Sequence, residues 1–468
     1  MVFSSTIFLC FFLPMVLFCC TVIKSKYVNV CLLVFSLLFY AWGEPKFLTV
    51  FLASIVMNYV FGLLFLPRKE SKAYRKLILV LAVVMNLGLL FIYKYWGLVA
   101  ETFRLSEYFP GLNTNIPLPI GISFYTFQAM SYIIDVYRGQ AEVQKNPIKI
   151  ALYISLFPQL IAGPIVRYTD VAAEIDHRTV HVEDFKTGIR RFSVGLAKKV
   201  LISNSVALYA DMAFGLTSGE LTSGAAWLGA LCYTLQIYFD FSGYSDMAIG
   251  IGRMLGFHFL ENFNLPYASR SIQEFWRRWH ISLSSWFRDY LYIPLGGNRR
   301  GLVRMMINQL IVFGLCGLWH GAEWSFLVWG LYHGTFLLIE KIPPVHQMLA
   351  KLPKAIGNFY TMLIVLVGWV FFRANNISHA MSYLRTMFSF NSGNLLGDRA
   401  SLHLAITSCV VGVIFAVVRM PVQYEETDTA KKYPALIVVQ DILILMLLLV
   451  SLIRVVPNNY NPFIYFRF

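Results

Sequence analysis

Two histidines stand in unexpectedly apolar company in this sequence. His320 lies in "CGLWHGAEWSFLVWGLYHG" (316–334), after the apolar run 310–318 and before Gly321. His280 lies in "EFWRRWHISLSSWFRDYLYIPLGGNR" (274–299), among arginines and hydroxyls. Imidazole titrates near neutrality, so such a ring can take a proton, relay one, or simply pack with a nitrogen held by a carbonyl. Ionisable groups inside lipid-phase sequence cost free energy, which makes the first two roles worth weighing. A helix over 272–290 puts Trp276, Arg277, Ser284 and Phe287 on the face of His280, with Arg278 and Arg288 extending the positive field. These arginines meet either lipid phosphates at the membrane interface or a phosphorylated cofactor at a tunnel mouth. The residues alone leave both open.

"YFDFSGYSDMAIG" (238–250) adds Asp240 and Asp246 in an apolar helix. Six residues is not a same-face spacing, so they do not read as a catalytic dyad. Asp246 shares a face with Ser242, and Asp240 faces toward Gly243 and Tyr244. Both carboxylates are expected to brace neighbouring helices through hydroxyl or arginine partners. The other histidines carry less. His177, His181, His346, His379 and His403 fall in polar loops or near span ends, His258 reads as a packed or loop residue, and His333 as structural. No Walker loop, GxSxG elbow or HExxH occurs. The seven cysteines form no CxxC pair, so neither a disulfide nor a metal site is expected.

The elements that position these groups must work in lipid. Of 468 residues, 57% are hydrophobic and only 14% charged, against roughly 25% charged in soluble domains. Mean hydropathy is +0.61. About 20 apolar residues cross a bilayer as a helix. Candidate spans or partial spans lie near 4–22, 27–41, 46–66, 76–99, 116–136, 148–165, 190–214, 224–252, 303–319, 322–341, 357–373, 402–419 and 434–455. The sequence therefore predicts an all-α polytopic membrane protein of roughly 11–13 transmembrane or re-entrant helices. One membrane domain is expected over 1–468. Within it, 1–100 are N-terminal supporting helices, 115–335 a catalytic core, and 336–468 C-terminal supporting helices. "MVFSSTIFLCFFLPMVLFCC" reads as a retained span, since it lacks a basic n-region and a small-residue cleavage site. Lys24, Lys26 and the basic loop 68–76 set the N-terminus outside and that loop in the cytoplasm. The net charge of +14 belongs with cytoplasmic loops and anionic lipid in the bilayer, and no nucleic-acid motif competes.

Together, "YFDFSGYSDMAIG" (238–250), the 274–299 block, "GLWHGAEWSFLVWGLYHG" (317–334), "GWVFFRA" (368–374) and "NPFIYFRF" (461–468) resemble the membrane-bound O-acyltransferases, in their alginate O-acetyltransferase branch. "VFSSTIFLCFFLP" and "FYAWGEPKF" are similar to that branch as well. The resemblance implies a ring of helices around a central tunnel where acyl donor and acceptor meet. It implies acetyl-CoA as donor, no metal, and a polysaccharide or peptidoglycan acceptor, reached directly or through a secreted or periplasmic acetyltransferase. It also implies a bacterial inner-membrane location. The family's near-invariant histidine matches His320 and its second motif histidine matches His280. This makes His320 the expected general base and His280 an orienter or hydrogen-bond donor. Trp276, Arg277, Arg278 and Arg288 become the expected donor site, with Asp240, Ser242, Asp246 and Trp319 as polar support. Two other readings stand beside this one. A D-alanyl transferase of teichoic acid type would use a carrier-protein thioester, and a proton-coupled transporter or channel would relay protons through His320, His280 and Asp246. The lack of an internal repeat counts against the transporter.

Overall fold

The computed structural model describes residues 2–67, 70–109, 111–217, 219–418, 434–456 and 464. Residues 68 and 69 of the basic loop, and all of 461–468 except Ile464, lie outside the described residues. Among the described residues every regular element is helical. Seven helices among the described residues are long and apolar enough to cross a membrane: Ser25–Gly43, Pro45–Leu64, Lys72–Thr102, Leu302–His320, Lys354–Arg373, Arg399–Val417 and Ile437–Val455. Phe8–Val22 and Trp324–Ile339 are apolar but shorter. The protein is an all-α, multi-pass membrane protein.

The remaining candidate spans are helical but of another kind. The 116–136 stretch forms Ile122–Arg138, buried along nearly its whole length, polar residues included. The 148–165 stretch breaks into Pro147–Ser155 and Phe157–Leu160. The 190–214 stretch runs through Val182–Ala197, a π-helical turn Lys198–Ser203 and Asn204–Gly215. The 224–252 stretch forms the long helix Ser223–Met254.

The chain divides into two compact units, Met1–Phe192 with Met247–Leu260, and Ser193–Asp246 with Glu261–Phe468. In the first, Ile122–Arg138 packs against Leu48–Leu64 and Lys72–Leu90. Those two helices are themselves joined by a reciprocal amide pair, Asn58 with Asn86 at 2.9 and 3.0 Å. A polar pair between buried helix faces satisfies groups that lipid cannot. In the second unit, Leu302–His320 and Trp324–Ile339 form a tight hairpin, Lys354–Arg373 packs on Trp324–Ile339, and Arg399–Val417 packs on Asn204–Gly215.

The expected helix over 272–290 is not continuous. Ile272–Arg278 ends, Trp279 is extended, and Ile281–Phe287 starts anew from His280. His280 is left-handed, with φ 44° and ψ 55°. The shared face of Trp276, Arg277, Ser284 and Phe287 is therefore lost. The physical reason is tertiary: the chain at 262–264 pairs with both sides of the break, Asn264 N–H donating to Arg278 O and Ile281 N–H to Asn262 O, each at 2.9 Å.

Candidate active site

His320 is placed by glycines. It is the last residue of Leu302–His320, and the chain turns at Gly321 into Trp324–Ile339. The two helices meet glycine on glycine. A Cβ at Gly317 would stand 2.2 Å from the Phe326 carbonyl oxygen, and one at Gly330 would stand 2.1 Å from that of Phe313. A Cβ at Gly321 would strike the Phe326 ring at 2.1 Å. Small residues let helix backbones touch, and Gly317/Gly321 and Gly330/Gly334 recur at the one-turn interval that this requires. The crossing leaves His320 3% exposed. Its ring sits edge-on to Trp319, Trp329 and Phe372, with centroids at 5.0, 5.2 and 5.2 Å.

His280 reaches the same place from the helix break. It is fully buried, at 0% exposure, with Phe241 edge-on at 4.5 Å and Trp319 at 6.0 Å. Its Nδ1 lies 3.1 Å from Oδ1 of Asn262. That oxygen also accepts from the Ser282 backbone N–H at 3.2 Å and from its hydroxyl at 2.9 Å. Non-glycine residues with positive φ are uncommon, and holding one costs of order 1–3 kcal/mol. The Asn262 bonds offset that cost. His280 lies outside the seven spanning helices, and burial pushes its pKa down to about 3, so the ring is neutral at physiological pH. The rings of His280 and His320 are steeply inclined to each other with centroids 6.3 Å apart, and Trp319 lies beside both. Two buried imidazoles thus share one aromatic box, an arrangement suited to moving a proton on and off a small hydroxyl.

Comparison with known proteins bears on this geometry. Residues 37–381 match the model of the MBOAT, membrane-bound O-acyltransferase family. The chain belongs to that family. It is 41% identical to a probable alginate O-acetylase AlgI of Azotobacter vinelandii, covering 100% of both chains. It is 37% identical to a peptidoglycan O-acetyltransferase of Helicobacter pylori, over 77% of this chain and 73% of that one. A teichoic acid D-alanyltransferase of Bacillus subtilis is 28% identical over 55% of this chain and 66% of its own. The protein is an O-acyltransferase.

The other expected site residues of this acyltransferase fall into distinct places. Trp276 does not face outward with the arginines; it is buried against Phe313, Trp329 and His333. Arg278 pairs with Glu274 at 2.7 Å and donates to Asn264 O at 3.2 Å. Arg288 grips Asp289 through two bonds, of 2.6 and 3.0 Å. Arg277 is exposed and, among the described residues, makes no side-chain ion pair. Ser242 is buried, and its hydroxyl makes no hydrogen bond among the described residues. His333 is buried among Phe275, Trp276, Trp329 and Tyr332.

Asp240 and Asp246 do brace helices, but through lysines instead of the expected hydroxyls or arginines. Lys198 Nζ lies 2.6 Å from Asp246, and Lys199 Nζ lies 2.5 Å from Asp240, all four side chains being buried. The π-helical turn Lys198–Ser203 begins at these lysines. The helices approach closely here too, since a Cβ at Gly243 would stand 2.7 Å from Gly195 O. The second oxygen of Asp240 accepts the backbone N–H of Ile464 at 2.8 Å. Sequence reasoning passed over Lys198, Lys199 and Asn262. For the lysines a signal was present: two adjacent cations inside the apolar stretch "VGLAKKVLIS" require buried partners.

Proposed function

We propose that this protein is an O-acetyltransferase of the bacterial inner membrane. In this reading it moves an acetyl group from cytoplasmic acetyl-CoA to a hydroxyl of an extracytoplasmic cell-surface polysaccharide, alginate-like or peptidoglycan. The observation that carries the reading is the buried pair of His280 and His320 in one aromatic box. The names of the alginate and peptidoglycan relatives support the acceptor class.

A thioester is already activated, so the demanding step is to make the acceptor hydroxyl nucleophilic. His320, as a neutral imidazole, removes the hydroxyl proton as the oxygen attacks the thioester carbonyl carbon. The C–O bond forms, the C–S bond breaks, and the imidazolium returns the proton to the departing sulfur. General base catalysis of this kind is worth typically 10²–10⁴-fold. His280 orients the pair. A direct bond between the two rings would bring their centroids to about 5 Å. At 6.3 Å they leave room between them for the acceptor hydroxyl. Arg277, exposed at the end of Ile272–Arg278, is the arginine best placed to meet a donor phosphate. The N-terminus lies outside in this reading, and a secreted or periplasmic acetyltransferase completes delivery for acceptors beyond the membrane.

The test is mass spectrometry of exopolysaccharide and cell-wall fractions from cells with and without the protein, beside cells carrying His320→Ala. O-acetyl groups should vanish from one fraction in both altered strains. Unchanged acetylation in every fraction overturns the proposal. Loss of D-alanyl esters in place of acetyl groups would turn the donor assignment to a carrier-protein thioester.

A further inference from the structure

We propose that Asn262 is a positioning residue that fixes His280 as its Nδ1–H tautomer, so that Nε2 offers a lone pair inside the site. The inference deepens the reading of His280 and His320 as the reacting pair, and rests on it for its place in catalysis.

The hydrogen-bond geometry determines the protons. The Ser282 backbone N–H can only donate, and it points at one side-chain atom of Asn262 from 3.2 Å. That atom is therefore the amide oxygen and not the nitrogen. The opposite end of the amide is then the nitrogen, and it donates to Ser245 Oγ at 3.1 Å. An amide oxygen accepts only, so His280 Nδ1, 3.1 Å away, must carry the hydrogen. A neutral imidazole holds one ring hydrogen, which leaves Nε2 bare. Nε2 is buried and makes no hydrogen bond among the described residues. The same asparagine also fixes the backbone, its carbonyl accepting from Ile281 N–H at 2.9 Å beside the left-handed His280. Asn262 is itself 0% exposed, so water does not compete for it.

The consequence is a direction for the proton. Through Nε2 the resting His280 accepts a hydrogen bond and cannot give one, so it is not the donor that stabilises a carbonyl oxygen. It accepts from a second donor group of the bound acceptor, because the single hydrogen of the attacking hydroxyl goes to His320, the titratable side chain whose ring lies beside it. Phe241, Phe263 and Trp319 supply the other ring contacts.

The experiment is ¹⁵N NMR of the purified full chain labelled at histidine, with the His280 signals identified by their absence in His280→Gln. The expected spectrum shows a protonated Nδ1 and an unprotonated Nε2, and an Nε2–H tautomer in the wild-type protein overturns the inference. Asn262→Asp keeps an acceptor at this position but adds charge. It should raise the pH at which the His280 signals titrate by about one unit or more. Ser245→Ala removes only the far anchor and should leave that midpoint in place. An Asn262→Asp midpoint equal to wild type also overturns the inference. Asn262→Ala should mix the tautomers and lower turnover by about tenfold or more; should it fail to fold, the aspartate variant still decides. None of the spectra depends on turnover. Full acetyl transfer by His320→Ala would sink the catalytic reading while leaving the tautomer standing.

Discussion

Helix Ile437–Val455 and the box around His280 and His320 are built from the same apolar alphabet, to opposite ends. On the helix, Leu443, Leu445, Leu449 and Ile453 are exposed, a surface that suits hydrocarbon. In the box, Phe241, Trp319, Trp329 and Phe372 turn inward onto two imidazoles. The first use of apolar surface needs only length and composition. The second needs every ring in place, because in the proposed reading its work is to bury a neutral base. Apolarity alone therefore does not distinguish wall from site; what each side chain touches does.

That contrast can be broken by experiment, beginning where the effect is greatest. His320→Ala should abolish acetyl transfer, by about 10³-fold or more, while the purified protein still folds. Wild-type turnover would return His320 to the wall. Next comes Lys199→Ala, which strands the Asp240 carboxylate in the core. Removing one partner of a buried pair costs about 3–5 kcal/mol, visible as a sharply lower unfolding midpoint in detergent. A midpoint within a degree of wild type would mean that the pair is not buried as described. His280→Ala should slow transfer by about 10²-fold yet leave acetyl-CoA binding measurable. Complete loss of binding would move His280 from the proton path to the donor site.

A smaller effect concerns acid. The folded-state pKa of His280 is lowered to about 3 by burial, below the roughly 6.5 of an unfolded histidine. The unfolded chain therefore binds the extra proton first. The stability tied to the neutral ring is complete above pH ~6.5 and is lost as pH falls toward the folded value, at about 1.4 kcal/mol per unit. Acidification from neutral to pH ~5 should thus lower the midpoint of wild type more than that of His280→Gln. Equal losses would count against a buried neutral ring. Smallest of all, Leu443→Ala on the exposed face should change stability by no more than about 0.5 kcal/mol. A core-sized loss there would mean that this face is packed by protein.

The sequence carried the walls more fully than the site. Long apolar runs are legible because a bilayer admits few other structures, and Lys72–Thr102, Arg399–Val417 and their companions appear as helices where expected. His320 was legible as an ionisable ring in the wrong solvent. The bend at His280 was not, because helical periodicity continues across it and only the tertiary bonds from Asn262 and Asn264 break it. The sequence marks the aspartates as braces, but pairing Asp246 with Lys198 and Asp240 with Lys199 depends on how two helices cross at Gly195 and Gly243. The expected shared face of Trp276, Arg277, Ser284 and Phe287 is lost to the bend at His280. Local carboxylates, Glu274 and Asp289, had already claimed Arg278 and Arg288.

The glycine crossing beneath His320 has a further consequence, for how such an enzyme can change its tastes. Where Gly317 and Gly330 bring two backbones into contact, neither helix can move closer to its partner. In the proposed reading, the base then stands on a closely packed support. If the acceptor meets His320 as proposed, a bulkier or slimmer one is expected to be accommodated by the opposite wall, above all by Phe372 at the end of Lys354–Arg373. Diversification in acceptor should accordingly be written in that wall, while the hairpin that carries the base stays the same.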